Sequence, residues 1–214
     1  MALTFWYHPF SSFCRKALIA LYEAGIEPDK VEVDLGDAAS RDAFLAVWPV
    51  GKFPVMRDGA SGELLPESSI IIEWVADQHS ALGLIPAEAK AARHVRMLDR
   101  FFDFEIHQPM QRIVADYLRP EDKRDPFGQA QDRAKLRKGY AIAEGLLGDG
   151  PWAAGDAFTL ADCSAQPALH FANRVEPLDG HPKLAAYLER LYARPSVART
   201  MDEARPFEAY FPVK

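Results

Sequence analysis

Leu3-Thr-Phe-Trp-Tyr-His-Pro-Phe-Ser-Ser-Phe-Cys14 changes character halfway along. Leu3 to Tyr7 is short, aromatic and β-prone, and His8-Pro9 ends it. Ser11-Ser12 then offers a helix cap. Beyond it Ala17, Leu18, Ala20 and Leu21 recur at helical spacing, and Gly25 closes the helix. A strand, a tight turn and a helix start an α/β unit.

Working outward, Val31-Glu-Val-Asp-Leu35 reads as a second strand and Arg41 to Val47 as a short helix. Pro54-Val-Met-Arg57 and Glu63-Leu-Leu65 flank Asp58-Gly59 and Gly62, which is a hairpin signal. Ser68 to Ala76 is helical. The order is βαβαββα. After residue 66 no strand signal follows. Arg93 to Tyr117 reads as one long helix that Pro109 kinks. Gln129 to Leu147 is another, stopped by Gly148-Asp-Gly-Pro151. Leu160 to Val175, Lys183 to Tyr192 and Val197 to Ala204 complete a helical half. Gly83 and Pro86 break the pattern between Leu82 and Ala87. Residues 1–82 are therefore expected to form an α/β domain and 87–214 an all-α domain.

The chain has 214 residues, enough for both units. Hydrophobic residues make up 49 % and charged residues 26 %, which argues for a globular protein. The net charge of −6 argues against a nucleic-acid partner. Cys14 and Cys163 are too few for a disulfide framework. No apolar run approaches the ~20 residues that span a bilayer. The N-terminal residues lack a basic segment followed by an apolar one, so the expected location is the cytoplasm.

Three constellations carry chemistry. Ser11-Ser-Phe-Cys14 has the spacing of a Cys-x-x-Cys redox motif whose first cysteine is serine. At a helix N-terminus, free backbone N–H groups and the dipole favour an anion. A serine hydroxyl there can donate to a thiolate brought by a ligand. A thiol that ionises near ~8.5 alone needs about 2.7 kcal/mol to reach about 6.5. The same residues also read as a bare cap, with Cys14 a small buried residue. Gly51-Lys-Phe-Pro54 can hold a cis proline that turns the Phe53 backbone outward to pair with an extended peptide. It also reads as an ordinary proline before a strand. Glu67 and Ser68 open a helix, where they can hold an ammonium and a carboxylate respectively, or simply cap it. No His, Cys and Asp cluster has metal-ligand spacing.

Taken in order, the motifs resemble the soluble glutathione transferases. The resemblance covers nearly the whole chain. Ser11-Ser-Phe-Cys-Arg15 is similar to elements of the serine-type theta and zeta classes, as in their bacterial members. Gly51-Lys-Phe-Pro54 resembles the family's segment with a cis proline, and Glu67-Ser-Ser-Ile70 its Glu-Ser-x-Ile. Gly155-Asp-Ala-Phe-Thr-Leu-Ala-Asp162 and His181-Pro-Lys-Leu184 with Arg194-Pro-Ser-Val197 resemble its helical-domain signatures. Two features depart from the pattern. Trp48-Pro49 stands where Asn-Pro is usual, and Ser12 beside Ser11 leaves open which hydroxyl faces the sulfur.

The resemblance implies a thioredoxin-like N-terminal domain, an all-helical C-terminal domain and a homodimer. It implies glutathione as cosubstrate and a role in detoxification. Ser11 would contact the sulfur, with Ser12 or Cys14 as alternatives. Phe53 and Pro54 would meet the cysteinyl part, Glu67 and Ser68 the γ-glutamyl end, and Lys52 the glycyl carboxylate. Tyr7, near the catalytic tyrosine of other classes, falls inside the strand. Thr159 and Asp162 form a capping box, with a structural role. Phe10 beside the thiol, Phe104 and His107 on the long helix, and Phe207 in the aromatic tail are expected to wall an apolar pocket for the second substrate. The activated thiolate would attack an electrophile there. Two other readings remain: a thiol oxidoreductase or lyase using Cys14, and a non-catalytic binding or regulatory protein.

Overall fold

The computed structural model describes residues 2–213. Strand β1 (Leu3–Tyr7) lies inside a four-stranded sheet of order β2-β1-β3-β4. It pairs in parallel with β2 (Asp29–Glu32) and antiparallel with β3 (Val55–Asp58), which pairs antiparallel with β4 (Leu64–Pro66). Helices α1 (Ser12–Glu23), α2 (Ala38–Val47) and α3 (Ser68–Gln78) complete the βαβαββα order. The strands alternate across the sheet, so each face has its own core. Leu3, Phe5, Met56 and Leu65 meet α1 and α3, whereas Trp6 and Val55 meet Phe44 of α2. This is the thioredoxin-like half.

The helical half runs from α4 (Ala89–Phe101) through α5 (Gln108–Tyr117), α6 (Pro126–Leu146), α7 (Leu160–Val175), α8 (Pro182–Tyr192) and α9 (Pro195–Ala204). Every residue of α7 from Leu160 to Ala172 is buried. Cys14 to Leu21 of α1 are buried as well, because α3 packs on one side of α1 and α7 and α9 on another. One apolar cluster therefore runs through both halves. At the head of α7 the capping box is present. The Thr159 N–H and hydroxyl donate to Asp162 Oδ2 at 2.8 and 3.1 Å, while Ala153 N–H and the Tyr187 hydroxyl donate to Oδ1 at 2.8 and 2.7 Å.

The structure corrects several expected bounds. β2 starts earlier and ends at Glu32, because only residues 29–32 pair with β1. α2 starts at Ala38 because Asp37 accepts from the Ser40 N–H and caps it. α6 starts at Pro126, with Asp125 as its cap. The largest correction concerns the long helix expected over 93–117. It is interrupted by a π-helical turn at Phe102–His107, and Pro109 falls in the first turn of α5. Proline has no N–H to give the Glu105 carbonyl four residues back, and its ring would clash there. The wider turn absorbs the mismatch. Gly139 of α6 packs against this turn so closely that a Cβ would lie 2.8 Å from the Glu105 carbonyl oxygen.

Candidate functional site

The turn after β1 is held by two bonds to His8: the Ser11 N–H to its carbonyl at 3.0 Å and the Phe10 N–H to its Nδ1 at 3.2 Å. They place Ser11 as the cap of α1, in extended backbone, where its Oγ accepts from the Cys14 N–H at 3.3 Å. That leaves the Ser11 hydroxyl proton free to donate. The Ser12 hydroxyl is instead shared with His107 Nε2 at 2.5 Å. Burial, with the charge of Lys16, pushes His107 down to about 4, so the ring is neutral at ordinary pH. Its Nδ1 has no partner among the described residues, and its ring lies 4.4 Å from that of Phe13.

Ser11 and Ser12 open on a cavity of about 420 Å³. A second cavity of about 270 Å³ adjoins it, with Phe13, Lys52, Phe53, His107 and Gln111 lining both. Pro54, Glu67 and Ser68 line the second, so three sequence motifs distant along the chain share one cleft. The Phe53–Pro54 bond is cis. Glu67 has φ 74, a left-handed conformation for a residue with a side chain. Such backbone costs about 1–3 kcal/mol and is found where function holds it.

The apolar wall differs from the sequence expectation. Phe10 and His107 line the larger cavity, joined by Met110, Val114, Phe171 and Phe211. Phe104 lines the smaller cavity instead, half exposed beside Glu67 and Ser68, with the Arg100 guanidinium 5.5 Å from its ring centre. Phe207 lines neither; its ring packs on His8 and Tyr210. Phe211, four residues on, takes the wall position. Tyr7 is buried in β1, and burial pushes its hydroxyl up to about 12. Cys14 is wholly buried, and burial raises its thiol to about 12 despite the Ser11 and His8 contacts. A thiol in that state is neither ionised nor reachable.

Sequence reasoning missed a charged network that reaches the smaller cavity through Arg100 and Asp103. Lys16 is buried on α1 and bonds Asp99 at 2.6 Å and Asp103 at 2.8 Å. Arg100 bonds Asp99, Asp103 and the Ser69 hydroxyl at 2.8, 2.9 and 2.7 Å. Burial pushes both carboxyls up. At Asp99, Lys16 and the hydrogen bonds outweigh it and hold the group below the ordinary range. At Asp103 burial prevails. A lysine in the apolar stretch of α1 and two acids four residues apart are the signals that mark this network. Among the described residues, no group of His, Cys, Asp and Glu could hold a metal ion.

Comparison with known proteins agrees with this arrangement. Residues 6–83 match the family described as "Glutathione S-transferase, N-terminal domain", and residues 123–190 its "C-terminal domain". A maleylpyruvate isomerase of Ralstonia sp is 32 % identical over 74 % of this chain and 76 % of its own. Glutathione S-transferase 3 of Zea mays is 31 % identical over 90 % of each chain. A crystal structure of a glutathione S-transferase from Methylobacillus flagellatus, with glutathione bound, is 26 % identical with a TM-score of 0.83, covering 93 % of this chain and 98 % of that one. With both domain descriptions matched and relatives of more than 30 % identity covering most of its length, this chain belongs to the glutathione S-transferase family.

Proposed function

We propose that Ser11 and the N-terminus of α1 together hold the thiol of glutathione as its thiolate. The family makes the chain a glutathione transferase. The roles of its residues are our reading of the cleft. The observation that carries it is that Ser11 caps α1 with its hydroxyl proton uncommitted, in the same cleft as the Phe53–Pro54 edge and the Glu67–Ser68 helix start. Glutathione lies extended across the two cavities. Its sulfur sits near Ser11, its cysteinyl backbone pairs with Phe53, its γ-glutamyl end meets Glu67 and Ser68, and its glycyl carboxylate meets Lys52. The larger cavity takes an apolar electrophile over Phe10 and His107.

A hydroxyl donor and the helix-end amides favour the anion most where water is excluded. Conjugation and isomerisation both start from that thiolate, so the direct test reads it. Glutathione bound to the wild-type protein should ionise well below its ordinary ~8.5, measured by thiolate absorbance against pH. In Ser11→Ala the bound thiol should move back up by about one unit or more, with turnover down about tenfold or more and glutathione affinity nearly unchanged. An unchanged thiol pKa in that variant moves the role to Ser12. Burial of Cys14 argues against a mixed-disulfide mechanism. We further propose that residues 1–82 and 87–214 are the two domains, that the protein works in the cytoplasm, and that it is a homodimer. No helix among the described residues is long and apolar enough to cross a membrane.

A further inference from the structure

Among the described residues the larger cavity is lined by no carboxylate, and Lys52 is the one charged residue in its lining. Behind its aromatic wall the chain places two further cations. The Arg15 guanidinium lies 4.8 Å from the ring centre of Phe171 and 5.6 Å from that of Phe10. The Arg174 guanidinium lies 3.9 Å from the ring centre of Phe211. Neither arginine lines the cavity, so the rings stand between cation and ligand. One carboxylate, Glu208, serves both, at 2.6 Å from Arg174 and 3.8 Å from Arg15. Arg15 is wholly buried, its Nη1 donating to the Met201 sulfur at 3.2 Å while its Nε and Nη2 make no hydrogen bond among the described residues, Nη2 having only the longer ion-pair contact with Glu208. Burial pulls it down to about 10, which leaves it cationic at neutral pH.

Among the described residues, two cations against one anion leave the wall with a net positive charge. A cation on one side of a ring offsets the negative face that the ring would otherwise present. With little water between, that charge is weakly screened on the cavity side. His170, packed on Phe171, reports the same field: burial first, then Arg15 and Arg174, push it down to about 3. The chain as a whole carries −6, so the local sign is opposite to the global one.

We propose that the second ligand of this cavity is an apolar molecule bearing an acidic group — a carboxylate or sulfonate on an aromatic or unsaturated body — and that the arginine-backed wall selects it. This rests on the reading of the larger cavity as the second-substrate site. With Lys52 engaged by the glycyl carboxylate of glutathione and the N-terminus of α1 by its thiolate, the wall is the remaining source of positive charge among the described residues.

The test uses two fluorescent dyes of one shape, anilinonaphthalene sulfonate and phenylnaphthylamine, which differ by the acidic group. Each is titrated into the full chain, and the cavity signal is the part that Val114→Trp removes. Arg174→Gln and Glu208→Gln break the same ion pair, so mere loosening of the wall moves binding of both dyes in one direction. A charge effect moves the sulfonated dye in opposite directions. The expectation is about fivefold weaker binding of that dye in Arg174→Gln and about fivefold tighter binding in Glu208→Gln, with the uncharged dye within about twofold throughout. Shifts of the same sign in both variants, or no shift in either, overturn the proposal. Absence of any cavity signal for both dyes sinks the pocket reading and the proposal with it. Neither dye needs a thiol, so failure of glutathione to ionise would leave this comparison standing.

Discussion

At the residue scale, the buried histidines make the protein sensitive to acid. His107 is pushed to about 4 and His170 to about 3, each chiefly by burial and each from an ordinary 6.5. Both are held neutral in the folded chain and take up protons freely once it unfolds. Their contribution is fully present above pH 6.5 and is lost as the pH falls through the window toward about 4. The loss is on the order of 3 kcal/mol for one such shift. Denaturant unfolding at a series of pH values should show this slope, and His107→Asn should remove part of it. An unchanged slope in that variant would place the sensitivity elsewhere. Ser11 belongs to the same scale. Its residue type and helix-end position were legible in the sequence. That its proton is free while the Ser12 hydroxyl is shared with His107 was not, because the partner is 95 residues away.

At the element scale, two helix contacts hold the site from a distance. Asp162 accepts four bonds while buried, two from Thr159 and one each from Ala153 and Tyr187. Asp162→Ala would leave several donors without acceptors, and a cap alone is worth ~0.5–2 kcal/mol. The variant should lose about 3 kcal/mol or more of stability in denaturant unfolding, with the glutathione pKa shift retained in whatever fraction folds. Gly139 carries the second contact, between α6 and the π-helical turn that bears Asp103 and His107. Gly139→Ala drives a methyl group toward the Glu105 carbonyl. It should lower Tm, at a cost of about 1–3 kcal/mol, although alanine favours helix more than glycine does. A rise in Tm would show that the turn yields freely. The break in the expected long helix was half legible. Pro109 marked a disturbance, but the π-helical turn depends on what packs against it.

At the scale of the whole molecule, α3 and α4 are tied together by Glu73 with Arg96 and by Ser69 with Arg100. On these two helices and the π-helical turn after α4, Ile70, Met97 and Phe104 expose 48, 43 and 50 % of their surface, apolar area that water disfavours. This supports the homodimer proposed above. Met97→Glu should shift the protein toward monomer in sedimentation while leaving the pKa of bound glutathione within about half a unit. A wild-type protein that sediments as a monomer at all concentrations would remove the dimer from the proposal.

Most of the architecture was open to reading in the chain itself. Strand and helix periodicities, glycine stops, proline breaks and capping residues are local, and local sterics and hydrogen bonding set them. The βαβαββα order and the helical half follow from such signals. So do the positions of Ser11, Phe53–Pro54 and Glu67–Ser68, each within a few residues of an element end. The tertiary structure decided what depends on distant neighbours. It moved Phe104 to the smaller cavity, left Phe207 outside both cavities and put Phe211 in the wall. It buried Cys14 beyond use and joined Lys16 to Asp99 and Asp103. It also set Arg15 and Arg174 behind the rings. An aromatic residue at helical spacing suits a core and a pocket equally, and a charge on an apolar helix face has no visible partner until the chain closes around it. Burial and electrostatic pairing are properties of that closure.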